Sequence, residues 1–254
     1  MTAVILCAGV GSRIGLHPDV NKCAVTIGKT SPVRYTVKTL QNLGIQRFVI
    51  VVGHAEQSVR DTLFSSRNNA DIVFIKNEKY SFHGCNYSVA CGVLASGSDS
   101  ERLLIVEGDS ILHPDSFRQL TDNHVSAASL IRSCDYIIPR RSVVAVGEGG
   151  QITRYLYDQS HNGMLPDLSE NEEVLGESMQ LWTFSNAAKV ELCGLLQDYK
   201  SQAERSDTAM TESGVFSINM LTAPIAPILS HRPTDWINLN TRDDLEKANM
   251  QSWI

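Results

Sequence analysis

The sequence predicts an α/β fold with a mainly parallel, mixed central sheet that helices cover on both faces. Short apolar segments alternate with amphipathic segments through the first half of the chain. This alternation of strand and helix is typical of parallel sheets, whose crossover helices lie on the two faces. The chain has 254 residues, of which 43% are apolar and 20% charged, so it can bury a sizeable core.

The first half supplies the elements of the predicted parallel sheet. Four segments rich in Val, Ile and Leu are predicted as strands: Ala3–Leu6, Arg47–Val52, Ile72–Ile75 and Arg102–Val106. Helices are predicted between or after them, at Pro32–Leu43, Ala55–Phe64, Asn86–Leu94 and Pro114–Asn123. In sheets of this kind the ligand binds beyond the carboxyl ends of the strands, so we expect the functional site at that edge.

The second half is less regular and predicts a smaller, β-rich subregion. Strands are predicted at Ala127–Ser133, Val143–Val146, Ile152–Tyr155, Leu181–Phe184 and Asp235–Leu239. Gly147–Gly150 indicates a hairpin turn, and the polar residues 158–178 indicate a long loop. Helices are predicted at Ala187–Tyr199 and after Thr241, where Asp244 completes an acidic variant of the capping box. No repeat or linker interrupts the chain, which favours a single domain over residues 1–254.

Composition argues against several classes of partner. A net charge of −6 offers no general basic surface for a nucleic acid. No run of about 18 apolar residues predicts a membrane span. The N-terminal residues lack the pattern of a signal peptide, and the six cysteines form no C-x-x-C pair, so we expect reduced thiols in a cytoplasmic protein.

Two glycine motifs fail on inspection. Gly28-Lys29-Thr30 resembles the end of a P-loop, but that motif requires glycine where Cys23 stands. Gly9-Val10-Gly11 begins like a dinucleotide fingerprint, but Ile14 replaces its third glycine and no acidic residue follows near position 30.

The segment Leu6–Lys22, LCAGVGSRIGLHPDVNK, has the features of a polyphosphate site. Gly9 and Gly11 allow the backbone to approach a ligand closely, and consecutive N–H groups in such a turn bind phosphate oxygens. Arg13 adds a planar fork of donors and Lys22 a compact cation. On its own, this pattern also fits a plain turn between strand and helix with two surface cations.

The same string resembles the signature L-A-A-G-x-G-(S/T)-R-(L/F/M)…P-K of nucleotidyltransferases with a GT-A-like fold, which make sugar nucleotides and CDP-activated alcohols. The resemblance implies a Rossmann-like (GT-A type) three-layer sandwich and a nucleoside triphosphate held by Leu6, Ala8, Gly9, Gly11, Ser12, Arg13 and Lys22. It makes Arg13 and Lys22 candidate catalytic cations. Asn21 stands where this family usually has proline, which predicts a less rigid loop.

Two further segments are similar to the metal-binding elements of this family. Glu107-Gly108-Asp109 follows the fourth predicted strand, and the resemblance implies that Asp109 binds Mg²⁺ and takes part in catalysis; an ordinary turn residue is the alternative. Residues 236–246 resemble the segment W-x-x-(I/V)-(D/N)-T-x-x-D-L, with Asn240 at the position that is commonly Asp. Asn240 is therefore the second candidate metal ligand, with Asn238 on the same strand face as the alternative.

Residues 77–88 resemble the stretch N-x-x-(Y/W)…N-x-x-S-(L/V) of cytidylyltransferases that act on choline phosphate or small phosphonates. The resemblance implies that Asn86 and Ser88 contact the base or ribose of the nucleotide, although Asn86 is equally suited to cap the helix. Tyr80, His83 and Tyr87 offer aromatic faces for a quaternary ammonium group.

Residues 176–185 are similar to the element G-E-x-x-G-(L/I)-x-x-(F/L)-S of phosphonate-type cytidylyltransferases, with Gln180 in place of the second glycine. Glu177, Trp182 and Tyr87 are accordingly candidate contacts for the acceptor. Trp182 also fits a core position on an alternating strand.

The resulting hypothesis is a Mg²⁺-dependent cytidylyltransferase in which residues 1–125 bind CTP and residues 126–254 bind the acceptor. The acceptor would be phosphocholine, an aminoethyl- or hydroxyalkyl-phosphonate, or a similar compound, and pyrophosphate would be released. Neither a nucleic acid nor a membrane partner is expected, and a homodimer stays open. The alternatives are a sugar-1-phosphate nucleotidyltransferase using UTP or dTTP, a glycosyltransferase of related fold, and a non-catalytic nucleotide-binding protein.

Overall fold

The computed structural model describes residues 1–64, 70–97, 102–133, 143–157, 167–210 and 225–254. The strands in these ranges are β1 (Thr2–Cys7), β2 (Arg47–Val52), β3 (Asp71–Lys76), β4 (Leu103–Glu107), β5 (Ser110–Leu112), β6 (Ala127–Arg132), β7 (Val143–Glu148), β8 (Gln151–Tyr157), β9 (Glu173–Phe184), β10 (Ala226–Leu229) and β11 (Trp236–Asn238). The α-helices are α1 (Pro32–Asn42), α2 (Glu56–Phe64), α3 (Cys85–Ala95), α4 (Pro114–Thr121), α5 (Asn186–Arg205) and α6 (Arg242–Asn249).

Within the described residues, nine strands form one mixed sheet. Its main path runs β10-β6-β9-β4-β1-β2-β3, and β7 joins it through β9 and carries β8. The pairs β4–β1, β1–β2 and β2–β3 are parallel, as is β10–β6, whereas β9 runs antiparallel between β4 and β6. The predicted α/β class with a mainly parallel, mixed sheet is confirmed.

Two apolar layers hold helices on the two faces of this sheet. Alternate residues of β1 point to opposite faces, because side chains alternate along a strand. Val4 and Leu6 pack with α3 and α5, while Ala3 and Ile5 pack with α1, α2 and α4. All six residues of β1 are buried, which explains its unbroken apolar sequence and completes the three-layer sandwich. In the described ranges, no helix is long and apolar enough to cross a membrane.

The second half departs from the sequence prediction at two strands. Residues 173–178, predicted as loop, form the first half of β9; the polar side chain of Glu177 is neutralised there by Arg132 on β6, so the strand lacks an apolar signature. Residues 158–166 of that predicted loop lie outside the described residues. The missed strand β10 contains Pro227 and pairs with β6 at the edge of the sheet, where proline costs no ladder hydrogen bond.

A short antiparallel ribbon brings a late segment of the chain to the carboxyl edge of β4. Strand β11 pairs with β5, so that Asn238 lies opposite Ser110. The backbone N–H of Leu239 also donates to the carbonyl of Asp109 over 3.0 Å. The capping box of Thr241 and Asp244 starts α6 directly after this ribbon, as the sequence predicts. The two segments predicted to bind metal are therefore neighbours in the fold.

Helix α3 lies unusually close to the sheet at Gly92. A Cβ atom at this position would come within 2.4 Å of Val4 Cγ1 and 2.7 Å of Val51 Cγ2. Those valines belong to the central strands β1 and β2, which cannot move aside cheaply in a close-packed core. The glycine therefore sets how closely α3 packs against β1 and β2.

Replacing Gly92 by alanine should lower the free energy of unfolding by about 1–3 kcal/mol, because the added methyl group overpacks the interface. Urea denaturation would measure the change. The matched control is Gly194→Ala in α5, where a Cβ atom would meet nothing within 4 Å; this change should stabilise the helix by up to about 1 kcal/mol. Similar effects of the two substitutions would contradict the packing account.

Candidate functional site

A cavity of about 260 Å³ opens at the carboxyl ends of β1 and β4. Six residues that the sequence analysis assigned to nucleotide or metal binding line it: Leu6, Ala8, Gly9, Lys22, Ser88 and Asp109. The cavity is also lined by Cys23, Tyr80, His83, Gly84, Cys85 and Glu107. Its position is the one expected for a ligand site in a parallel sheet.

The glycine-rich turn lies against the side chain of Lys22. Gly11 has a φ of 63° and precedes a short 3₁₀ helix, Ser12–Ile14, in which Ser12 and Arg13 are exposed. A Cβ atom on Gly11 would approach Lys22 Cδ to 3.1 Å. The left-handed backbone and the close approach both favour glycine here, and they align the stem of Lys22 beneath the turn.

The side chain of Asn21, which stands where the resembled family usually has proline, connects three segments. Its side chain is fully buried, and its Nδ2 donates to the carbonyls of Cys7 (2.9 Å) and His54 (2.8 Å). Its Oδ1 accepts from the backbone N–H of Cys23 at 2.9 Å. A carboxamide with this many partners joins the end of β1, the loop after β2 and the turn that carries Lys22.

Lys22 and Asp109 form an ion pair on the wall of the cavity. Their side chains are 16% and 7% exposed, respectively, so the pair is largely shielded from water. Burial acts to lower the pKa of Lys22, but the charge and hydrogen bond of Asp109, together with the charges of Cys23 and Glu107, raise that pKa above its ordinary value. Lys22 therefore keeps its positive charge despite its burial.

Arg13 and Asn240 contact each other, although neither residue lines the cavity. Arg13 donates from its guanidinium to Asn240 Oδ1 over 2.7 Å. The backbone N–H of Asn240 donates to Asp244 Oδ2 over 3.0 Å, which fixes the segment just before α6. The structure thus brings together the two predicted cations and the two predicted metal ligands, although they come from opposite ends of the chain.

Glu107 is a site residue that the sequence analysis did not single out for nucleotide binding. It lines the cavity and accepts a hydrogen bond from Cys85 Sγ at 3.6 Å. Burial raises the pKa of Glu107 to about 8, the charge of Asp109 adds to this rise, and Lys22 opposes it. Its place two residues before Asp109 at the end of a strand was the available sequence signal.

The start of α3 forms another wall of the cavity. The helix begins at Cys85, and Gly84 occupies the cap position, so Asn86 does not cap it. Asn86 is buried, and Ser88 accepts a hydrogen bond from Asn77 Nδ2 at 2.9 Å. Ser88 remains on the cavity wall, whereas Asn86 is not among the residues that line it.

The three predicted acceptor contacts are all buried. Tyr87 stacks on His83 with ring centroids 5.0 Å apart, and its hydroxyl donates to Glu204. Trp182 has no exposed surface and donates from Nε1 to the hydroxyl of Tyr155, so the expected contact between Trp182 and an acceptor has no open face. The structure places Trp182 in the core, the alternative that the alternating strand pattern left open.

Glu177 is held by a basic partner. Its Oε2 accepts from Arg132 Nε at 2.5 Å, and its side chain is only 5% exposed. Neither Glu177 nor Tyr87 lines the cavity. In the part of the chain that the structure describes, no cluster of three or more His, Cys, Asp or Glu side chains is arranged to hold a metal ion.

Residues 26–252 match the family described as "Domain of unknown function (DUF6564)". The chain belongs to this family. The match leaves out the segment Leu6–Lys22, which contributes the glycine turn and both cations.

Parts of the chain are similar in sequence to curated proteins. The chain is 27% identical over 125 residues to the bifunctional protein GlmU of Geobacter metallireducens, covering 49% of this chain and 25% of that protein. It is 27% identical over 163 residues to the CMP-5'-(3-aminopropyl)phosphonate synthase of Streptomyces rubellomurinus, covering 63% of this chain and 25% of that protein. The chain thus spans about a quarter of the length of these curated relatives.

A solved structure is similar along the whole chain. The inositol-1-phosphate CTP transferase from T. maritima superposes with a TM-score of 0.68 at 14% identity, covering 100% of this chain and 97% of that one. This likeness confirms the predicted Rossmann-like fold, and the fold is one that nucleotidyltransferases have.

Replacing Asn21 by alanine should lower the free energy of unfolding by about 2–4 kcal/mol, because buried carbonyl groups lose their donor. Chemical denaturation would measure the loss. Asn42→Ala, at an exposed position at the end of α1, is the control and should stay within about 0.5 kcal/mol of the unsubstituted protein. A loss no larger than that of the control would show that Asn21 does not anchor the loop.

Proposed function

We propose that this protein is a cytidylyltransferase that transfers CMP from CTP to a small phosphate- or phosphonate-bearing acceptor and releases pyrophosphate. The observation that carries the proposal is the ion pair of Lys22 and Asp109 on the cavity wall beneath the glycine turn. A shielded cation beside a carboxylate, at the carboxyl ends of two parallel strands, suits a nucleoside triphosphate and its metal ion.

Backbone N–H groups and cationic side chains have different roles in the proposed complex. In the proposed complex, N–H groups of the turn around Gly9 and Gly11 hold phosphate oxygens, and Arg13 and Lys22 neutralise them. An oxygen of the acceptor phosphate attacks the α-phosphorus, the bond from that phosphorus to the bridging oxygen breaks, and pyrophosphate leaves. The attacking oxygen is already anionic, so no strong general base is needed, and positioning with charge neutralisation supplies the catalysis.

The residues beside the pair fit a Mg²⁺ ion by their donor chemistry. Asp109 offers a carboxylate and Asn240 an amide oxygen, which are hard ligands on adjoining backbone segments. Asn238 Oδ1 is a third oxygen, enclosed and without a hydrogen-bond partner among the described residues. We propose Asp109 and Asn240 as the ligands; when bound, the ion would neutralise phosphate charge.

CTP and a phosphonate or phosphate acceptor are supported by the names of similar proteins. A CTP transferase shares the fold over the whole chain, and a synthase of a CMP-phosphonate shares 27% identity over 163 residues. The hydrogen-bonded pair Asn77–Ser88 on the cavity side of α3 provides polar groups for a base or ribose.

A sugar-1-phosphate nucleotidyltransferase using UTP or dTTP is the second candidate. It is favoured by the similarity to GlmU, which covers 49% of this chain. The two candidate functions would use the same polyphosphate site but differ in the base of the nucleotide and in the acceptor, so one assay separates them.

A pyrophosphate-release screen tests the proposal with CTP, UTP, dTTP, ATP and GTP against small phosphates, phosphonates and sugar 1-phosphates. We expect release only with CTP and a non-sugar phosphate or phosphonate. Lys22→Ala and Asp109→Ala should each reduce the rate by about 10²- to 10³-fold, because each removes charge stabilisation at the transferred group. Activity that requires UTP or dTTP and a sugar 1-phosphate would replace this proposal with the second candidate.

The controls for that screen are exposed residues of the same types. Lys38→Ala in α1 and Asp198→Ala in α5 should leave the rate unchanged. Rates of the Lys22 and Asp109 variants that match these controls would remove both residues from the site.

Asn240→Asp should lower the Mg²⁺ concentration needed for half-maximal pyrophosphate release by roughly severalfold, because a charged ligand binds the ion more tightly than an amide. The measurement is a Mg²⁺ titration at saturating nucleotide. Asn238→Asp is the matched control and should not tighten the ion. The reverse result would make Asn238 the ligand instead of Asn240.

A further inference from the structure

Gln180 lies at a bulge of β9 beside the candidate site. The pairing of β9 with β4 ends at Val106 opposite Leu181. The pairing with β6 shifts by two residues between Ser129 opposite Trp182 and Ile131 opposite Ser178. Bulges of this kind turn a side chain away from the ordinary alternation, and they recur next to functional sites.

The backbone of Gln180 is strained. Its φ is 62°, and among the described residues Ala55 is the other non-glycine residue with a positive φ. A residue with a Cβ atom disfavours this region, so surrounding contacts must hold it there. Glycine would relieve the strain, but it would lack the side-chain contacts of Gln180.

The side chain of Gln180 is oriented by a directed chain of hydrogen bonds. Trp236 Nε1 donates to Ser110 Oγ at 3.4 Å, and Ser110 donates to Gln180 Oε1 at 2.7 Å. Asn238 Nδ2 donates to the same oxygen at 3.0 Å. An indole N–H can only donate, so the single hydroxyl proton of Ser110 is directed to Gln180, and both acceptor positions of Oε1 are filled.

This arrangement leaves the amide nitrogen of Gln180 available. Nε2 has no hydrogen-bond partner among the described residues, and Gln180 as a whole keeps 8% of its surface exposed. Ser110 directly follows Asp109, and Asn238 lies two residues before Asn240. The amide nitrogen of Gln180 therefore offers two N–H donors. It belongs to a polar cluster of Ser110, Gln180, Trp236 and Asn238 that adjoins both proposed metal ligands in sequence.

The residues around Gln180 itself offer little to a quaternary ammonium group, whereas Tyr80 and His83 line the candidate cavity. The guanidinium of Arg132 lies over the ring of Trp236, 4.8 Å from its centroid, and takes that aromatic face. Arg132 also neutralises Glu177, and Trp182 is fully buried. A cation of that kind needs an open aromatic face or an unpaired carboxylate.

We infer that Gln180 determines acceptor specificity by donating from Nε2 to an oxygen on the organic part of the acceptor. The inference rests on the proposed nucleotidyl transfer and narrows its acceptor to hydroxyl-bearing phosphates and phosphonates, in preference to trimethylammonium compounds. A hydroxyl oxygen accepts such a hydrogen bond, and a trimethylammonium group cannot.

The test compares kcat/KM, with CTP as donor, for 2-hydroxyethylphosphonate, ethylphosphonate and phosphocholine. The unsubstituted protein should prefer the hydroxyl compound over ethylphosphonate by about 3- to 10-fold, the usual effect of one hydrogen bond. Gln180→Gly should bring that ratio close to one and leave KM for CTP unchanged. Glycine adopts the positive φ freely but leaves the donors of Ser110 and Asn238 without their acceptor, so a melting curve is recorded to confirm that the variant is folded.

Two further variants separate specificity from backbone effects. Gln180→Glu replaces the donor by a negative oxygen and should shift the preference toward phosphocholine. Ala55→Gly relieves the same kind of strain away from the polar cluster and should leave the ratio unchanged. A preference of the unsubstituted protein for phosphocholine, or an unchanged ratio in Gln180→Gly, overturns the inference.

Failure of the proposed function gives a different result. If no nucleotide and acceptor release pyrophosphate, the proposed function is wrong, and calorimetric titration of 2-hydroxyethylphosphonate and ethylphosphonate then decides the role of Gln180. Tighter binding of the hydroxyl compound, lost in Gln180→Gly, supports that role. Equal binding, or no binding of either compound, overturns it.

Discussion

The buried carboxamide of Asn21 is the contact on which the candidate site depends. Its hydrogen bonds tie the turn that carries Lys22 to the end of β1 and to the loop after β2. The central strands of the sheet therefore fix the position of the lysine. The pair of β5 and β11 brings Asn240 to the same edge. A flexible cation thereby acquires a fixed place beside Asp109, which a phosphate site requires for its geometry.

Charge within the site is balanced locally. Lys22 pairs with Asp109 and Arg13 with the amide oxygen of Asn240, while burial and the charge of Asp109 raise the pKa of Glu107 to about 8. Few uncompensated charges therefore remain on the cavity wall at neutral pH. Arg13 keeps its positive charge, because the amide of Asn240 is neutral, so a chain with a net charge of −6 can still offer an anion site from two cations and a turn of backbone N–H groups.

Sequence patterns predicted the parts whose cause is local. Strands β1, β2 and β4 were predictable because burial on both faces favours apolar runs. The capping box of Thr241 and Asp244 was predictable because its partners are three residues apart. The role of Asn21 was not, because its partners are backbone carbonyls of distant segments, which no residue pattern reveals. The start of β9 was hidden for a similar reason, since Glu177 is tolerated there only through Arg132 on another strand.

The contact between Arg13 and Asn240 spans 227 residues of sequence. During translation, β1, β2 and β4 and the glycine turn emerge early and can pair as a parallel core, whereas the ribbon of β5 and β11 must wait for the last part of the chain. Long-range contacts of this kind form late in folding and slow it. A chain truncated before Trp236 would therefore lack both the partner of β5 and the contact between Arg13 and Asn240.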